Sequence, residues 1–191
     1  DGDGDGDGDG DGDGDGDVPQ GSLSVLSYNV AGLPQGISGS DPEVNIPLIS
    51  PLLNQWELAL VQEDFAYHDE LAADAEHPHH SESNSQGPQN YGDGLNRFSE
   101  YAFDDFDREA WEECSGIIDM ANDCLTDKGF SVGLHELFPG VSVDVYNLHM
   151  DAGSAQSDYE AREAQVAQLL DMIDERSAGG ALFVAGDTNM N

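Results

Sequence analysis

Asp187 and Asn189 stand two residues apart in Ala181–Asn191, ALFVAGDTNMN, just past a run of four apolar residues. One is a base and the other a neutral donor. Three more polar residues occupy the same kind of position. Asn29 comes at the end of LSVLSYNV, Glu63 follows LALVQ, and His149 follows VSVDVYNL. In open α/β sheets ligands collect beyond the carboxyl ends of strands. Singly, each of these residues reads as a turn, cap or core residue. Five of them after four separate predicted strands describe one site. Carboxylate and amide oxygens suit a hard cation such as Mg²⁺, which takes one or two protein carboxylates and keeps several waters. A nearby histidine could stabilise charge on a phosphoryl oxygen or shuttle a proton.

The elements that must position these residues follow from periodicity. Leu23 to Val30 is β-branched and aromatic and nearly continuous in apolarity, which predicts a central strand. Leu58 to Gln62 predicts a second buried strand. Glu43 to Gln55 has helical spacing, but Pro47 and Pro51 should distort or split it. Phe65 to Glu76 reads as a short helix, His77 to Gly94 as a long polar loop, and Leu95 to Phe98 as a short strand. Phe130–Leu137 and Val141–Leu148 flank Pro139-Gly140 as a hairpin, with Val141, Val143 and Val145 on one face and Asp144 and Asn147 off it. Ser157 to Arg176 is the clearest helix. Ser157 and Glu160 form a capping box, and Val166, Leu169, Leu170 and Ile173 make its apolar stripe. Gly179-Gly180 stops the helix, so the closing strand completes a crossover unit and should be interior.

Composition narrows the function. Forty acids stand against five Lys plus Arg, a net charge of −35. Residues 1–17 alternate Asp and Gly, and residues 1–20 read as a flexible acidic linker rather than a calcium site. A closing bidentate Glu, as an EF-hand needs, is absent there. Residues 21–191 remain for one domain. So acidic a surface repels polyanions, argues against unaided nucleic-acid binding, and fits a high-salt habitat. Cys114 and Cys124 suit a disulfide in an oxidising compartment, and two free thiols fit the spacing as well. No run approaches the length of a membrane span. The chain begins at Asp rather than Met, which suggests a removed or uncaptured leader. A secreted or periplasmic monomer is the expectation.

LSYNVAGLP (Leu26–Pro34), LVQED, NLHMDAG and FVAGDTNMN, in that order, resemble the motifs of the endonuclease/exonuclease/phosphatase superfamily, which includes deoxyribonuclease I-like enzymes and secreted sphingomyelinases. The resemblance spans Leu23 to Asn191. It implies an α/β four-layer sandwich, two packed mixed β-sheets flanked by helices. It implies Mg²⁺, with Mn²⁺ or Ca²⁺ as substitutes, bound by Glu63 with Asn29 beside it. Asp187 would orient or deprotonate the attacking water, Asn189 would hold phosphate or nucleophile, and His149 would stabilise the transition state. The family continues past this point to a late Asp-His pair. The chain is therefore expected to be truncated at its carboxyl end and inactive alone. The family also supplies a second acid in the middle segment, where Glu100, Glu109, Glu112 and Glu113 are candidates. Asp151 could lie near the site or serve as a turn residue.

The expected activity is phosphoester hydrolysis, by a secreted phosphodiesterase acting on a phospholipid headgroup, a small phosphodiester or nucleic acid. A halophilic nuclease would carry the same surface. A non-catalytic calcium-binding or interaction module rests on the Asp-Gly tail alone. Arg97 has two open readings, contact with substrate phosphate or a surface salt bridge. His77, His79 and His80 fit a polar loop better than a zinc cluster, which needs four placed ligands.

Overall fold

A computed structural model describes residues 21–87, 90–115 and 126–190. The Asp-Gly segment, Asn191 and Cys124, with its expected pairing to Cys114, lie outside the described residues. Two four-stranded sheets pack face to face. The first has the order β1 (Val25–Asn29), β2 (Leu58–Gln62), β4 (Asn96–Ser99), β3 (His79–His80). The second runs β5 (Phe103–Ala110), β6 (Gly129–Phe138), β7 (Val141–His149), β8 (Ala181–Asp187). Both sheets are mixed. β1 and β2 are parallel, as are β7 and β8, and the remaining pairs are antiparallel. Helices α1 (Pro42–Ile49) and α2 (His68–Ala72) cover the first sheet, and α3 (Gln156–Arg176) covers the second. The expected four-layer α/β sandwich is the fold observed.

Side-chain alternation builds the layers. Ala59 and Val61 face α1 and α2 together with Ile46, Leu53 and Phe98. Leu58 and Leu60 point the other way and meet Val145 between the sheets. Tyr146 and Leu148 pack under α3 with Phe130, Trp111 and Leu169. Every second residue changes layer, as a pleated strand requires.

Several expectations need correction. Asn147 lies on the face of Val143 and Val145, since all three share parity, and it points into the inter-sheet layer. The proline-rich helix is indeed split, into α1 and a 3₁₀ turn at Ser50–Gln55. Helix α3 is capped two residues earlier than expected, where the Asp158 carboxylate accepts the Ala155 N–H at 2.7 Å. Its buried stripe uses Met172 where Leu170 was expected, and Leu170 is exposed. Among the described residues β8 is the outermost strand of its sheet, with Leu182, Phe183 and Val184 exposed. β5 was not anticipated: FDDFDREA lacks apolar alternation, and its ladder shifts register between Asp104 and Asp107. Charge and irregularity are how exposed edges avoid pairing with other chains.

Candidate metal and phosphate site

Four strands end at one place. Asn29 and Gln62 are ladder partners at the carboxyl ends of β1 and β2, and Glu63 follows directly. His149 and Asp187 are ladder partners at the carboxyl ends of β7 and β8. Two parallel pairs, one from each sheet, therefore bring their ends to a shared mouth.

Glu63 sits there with φ 58°, a left-handed backbone that side chains rarely adopt. Its carbonyl accepts the N–H groups of Gly32 and Phe65, each at 2.9 Å. Residue 32 must be glycine, because a Cβ would lie 2.6 Å from that carbonyl oxygen. Fixing the backbone this way turns the carboxylate into the mouth. There Asn29 Nδ2 donates to Glu63 Oε1 at 2.8 Å and to Asp187 Oδ2 at 3.1 Å. His149 Nε2 lies 3.9 and 3.8 Å from the same two oxygens. The Glu63 and Asp187 side chains are 24% and 29% exposed, while that of His149 is 2% exposed. The carboxylates reach solvent and the imidazole is a wall.

Asn189 also has positive φ, and its amide N–H donates to Asp187 Oδ1 at 3.0 Å. Its side chain donates to the Met150 carbonyl at 2.9 Å, so it braces Asp187 against the residue after His149. The five predicted site residues are brought together.

Arg97 is a correction. It is 0% exposed and donates to the Val145 carbonyl and Ser131 Oγ between the sheets. Its guanidinium lies over Phe106, 4.7 Å from the ring centroid. A Cβ on residue 133 would press on it at 2.9 Å, so Gly133 makes its room. Burial pushes its pKa down to about 9, and it remains a cation at neutral pH. It is a core residue and does not contact substrate. Of the middle acids, Glu109, Glu112 and Glu113 line a groove against α3, on the outer face of the second sheet. Glu100 bonds through its amide to Glu57, which precedes β2 and so lies at the opposite end of that strand from Glu63. Asp151 is buried and accepts the Ser115 N–H at 2.5 Å, a turn role. His77 hydrogen-bonds the Trp56 carbonyl and packs beside Phe98.

Sequence reasoning missed Asp64, which is buried behind Glu63 and accepts from His68 Nδ1 at 2.6 Å and Asn96 Nδ2 at 2.8 Å. Burial pulls the His68 pKa down, but the hydrogen bond and charge of Asp64, aided by Asp69 and Glu82, outweigh it and raise the pKa. The acid-after-strand signal was spent on Glu63, and nothing in the pattern marked its neighbour.

The donor set fits a hard divalent cation. Two carboxylate oxygens converge on one amide, which leaves negative charge facing solvent without a cationic side chain between them. Among the described residues no three His, Cys, Asp or Glu side chains form a multi-ligand metal group. The arrangement is instead the open, one- or two-carboxylate kind that Mg²⁺ uses. Positive charge for a phosphate must come from outside the side chains. Arg108 is paired with Asp93, Arg162 donates to the carbonyls of Asp151 and Gly153, and Arg176 pairs with Asp107. Lys128 donates to the Met150 carbonyl, and Arg97 is buried. Those are all five Lys and Arg of the chain.

No protein-family model matches the chain. Sphingomyelinases of Mycobacterium tuberculosis and Mycobacterium bovis are each 36% identical over 178 residues, covering 88% of this chain and 34% of theirs. Sphingomyelinase C from Streptomyces griseocarneus superposes with a TM-score of 0.73 at 18% identity, covering 90% of this chain and 66% of that one. A beta toxin variant from Staphylococcus aureus with bound magnesium ions gives 0.71 at 18%, covering 88% and 65%. The likeness to these solved structures shows a shared fold. The similarity in sequence is to the sphingomyelinases, and the chain spans about a third of the length of those curated relatives.

Proposed function

We propose that this chain carries the metal and phosphate site of a Mg²⁺-dependent phosphodiesterase that cleaves a phospholipid phosphodiester, with sphingomyelin as the first substrate to test. The observation that carries the reading is the convergence of Glu63 and Asp187 on Asn29, with His149 against both carboxylates. The lipid assignment is supported by the 36% identity to sphingomyelinases. It is supported too by the acidic balance of forty Asp and Glu against five Lys and Arg, which repels a nucleic-acid backbone.

Glu63 and Asn29 would hold the metal, which supplies Lewis-acid charge to a phosphoryl oxygen. Asp187 Oδ2 orients the attacking water and takes its proton. His149 Nε2 donates to a non-bridging oxygen as charge develops there. Asn189, in bracing Asp187 and the Met150 carbonyl, fixes the base relative to the histidine. Turnover is assigned to a protein of the length of the matched sphingomyelinases, of which this chain spans about a third. Among the described residues β1 and β8 are the outermost strands on one side of the sandwich, and Tyr28, Leu182, Phe183 and Val184 are exposed there. Secretion accords with the acidic surface. Among the described residues, no helix is long and apolar enough to cross a membrane.

The full-length gene product should hydrolyse sphingomyelin and bis-p-nitrophenyl phosphate with Mg²⁺ and lose both activities in EDTA. Glu63→Ala or Asp187→Ala should lower kcat by about 10²–10⁴-fold. Undiminished hydrolysis by either variant would falsify the site assignment. Cleavage of DNA in preference to sphingomyelin would move the reading to a nuclease.

A further inference from the structure

Along β2 and β7 the layer between the sheets is apolar until the last step before the site. Leu58, Leu60 and Val145 pack there. The next inward residues are Gln62 and Asn147, which are 1% and 0% exposed. Gln62 Nε2 donates to Asn147 Oδ1 at 2.7 Å across the sandwich. Asn147 Nδ2 donates to the Val61 carbonyl at 2.9 Å and the Asn96 carbonyl at 3.1 Å, both in the first sheet. These two carbonyls fix which way the amide faces. Gln62 Nε2 also reaches Ser27 Oγ at 3.3 Å and the Leu60 carbonyl at 3.2 Å.

Gln62 precedes Glu63 by one residue, and Asn147 precedes His149 by two. A pair of amides is a costly way to fill a buried layer unless every hydrogen bond is made, and an apolar pair of the same volume would hold the sheets together as well. Apolar contacts have no direction, however, and tolerate sliding. Directed hydrogen bonds to three points on the opposite sheet do not.

We propose that the Gln62–Asn147 amide pair is a positioning device for the metal and phosphate site. It locks the strand that delivers His149 against the strand that delivers Glu63, and so sets the 3.9 Å separation of imidazole and carboxylate. Asn147 and Gln62 touch neither metal nor substrate; they act through Glu63 and His149. The inference rests on the phosphodiesterase reading above and adds the part that sets its geometry.

The test uses the full-length gene product with Mn²⁺ as the probe, followed by electron paramagnetic resonance, together with kcat and KM for bis-p-nitrophenyl phosphate. Asn147→Leu and Gln62→Met remove the hydrogen bonds at nearly constant volume. Tyr101→Phe is the control, since it removes a hydrogen bond at the opposite end of β2 from Glu63, which Tyr101 Oη donates to Glu57 Oε1 at 2.8 Å. Each amide variant should weaken Mn²⁺ binding or lower kcat by about 10- to 100-fold, the usual consequence of losing a partner that orients a metal ligand. KM should change less than kcat. The double variant should be little worse than either single, because the two side chains act as one unit. Tyr101→Phe should leave metal affinity and kcat near wild type. Should Asn147→Leu fail to fold, Gln62→Met still decides, because it leaves both donations of Asn147 to the first sheet in place. Lowered melting temperatures with unchanged Mn²⁺ affinity and kcat would show the pair to be merely structural and overturn the proposal. A wild-type protein that binds no Mn²⁺ would overturn the phosphodiesterase reading along with it.

Discussion

Glu63 stands at a point where function and stability oppose each other. Its backbone is left-handed, and its carboxylate shares one amide donor with Asp187. Without a cation, two like charges face each other through Asn29, a repulsion that a folded chain tolerates only where something is gained by it. Glu63→Gln keeps the shape and removes one charge. In EDTA its melting temperature should therefore be higher than that of the wild type. Adding Mg²⁺ should reverse the order. A ligand at 100 times its Kd stabilises the native state by about 2.7 kcal/mol, and the variant should lose most of that gain. Thermal melts with and without Mg²⁺ measure both signs, and a variant that still gains the full increment would place the metal elsewhere.

At the scale of elements, the second sheet buries a histidine whose contribution to stability is sensitive to acid. His135 of β6 is buried, stacks on Phe103 with centroids 5.0 Å apart, and bonds the Gly133 carbonyl through Nδ1. Burial first, then the charge of Arg97, pushes its pKa down to about 4 from the ordinary 6.5. The unfolded chain thus takes up the proton before the folded one. The stability that comes from keeping this ring neutral is complete above about pH 6.5 and is lost as pH falls towards 4. The depression corresponds to about 3 kcal/mol at most. His135→Phe should flatten the acid side of a urea-unfolding stability profile by that order, and parallel profiles for the two proteins would contradict this. The elements themselves were unequally legible. β1, β2, β7 and α3 could be read because apolar periodicity is dense there, and the site residues could be read because they sit where those runs stop. β5 could not, since its edge is defended by acids. An apolar run such as that of β8 looks the same whether its edge is covered or open, so its place in the sheet could not be read from periodicity. Arg97 was misjudged because a lone cation near a glycine-rich loop gives no sign of the two phenylalanines and the glycine that let it be buried. Asn147 shows the cost of a parity slip: one step along the strand moves a side chain from one layer to another.

For the whole molecule the governing quantity is charge. The net is −35, and the nine aspartates of residues 1–17 leave −26 on the remainder. The five Lys and Arg are already counted in that net and offset only a small part of the field of forty acids. Repulsion concentrates where acids crowd, as in the groove lined by Glu109, Glu112 and Glu113 from one side and Asp171 and Glu175 of α3 from the other. The Debye length shrinks from about 10 Å at 0.1 M salt to about 3 Å at 1 M, which removes most repulsion between exposed groups across such a groove. Added salt also weakens the exposed Arg176–Asp107 pair, but an exposed pair contributes only about 0–1 kcal/mol. Repulsion summed over the surface is the larger effect. The melting temperature should therefore rise steadily with KCl from low ionic strength to beyond 1 M. The double variant Glu109→Gln/Glu113→Gln should melt higher than wild type in low salt and converge with it in high salt, because it removes in advance what the salt would screen. A melting temperature that stays flat or falls with KCl, or a double variant with an unchanged salt slope, would mean that the acidic surface serves solubility without straining the fold.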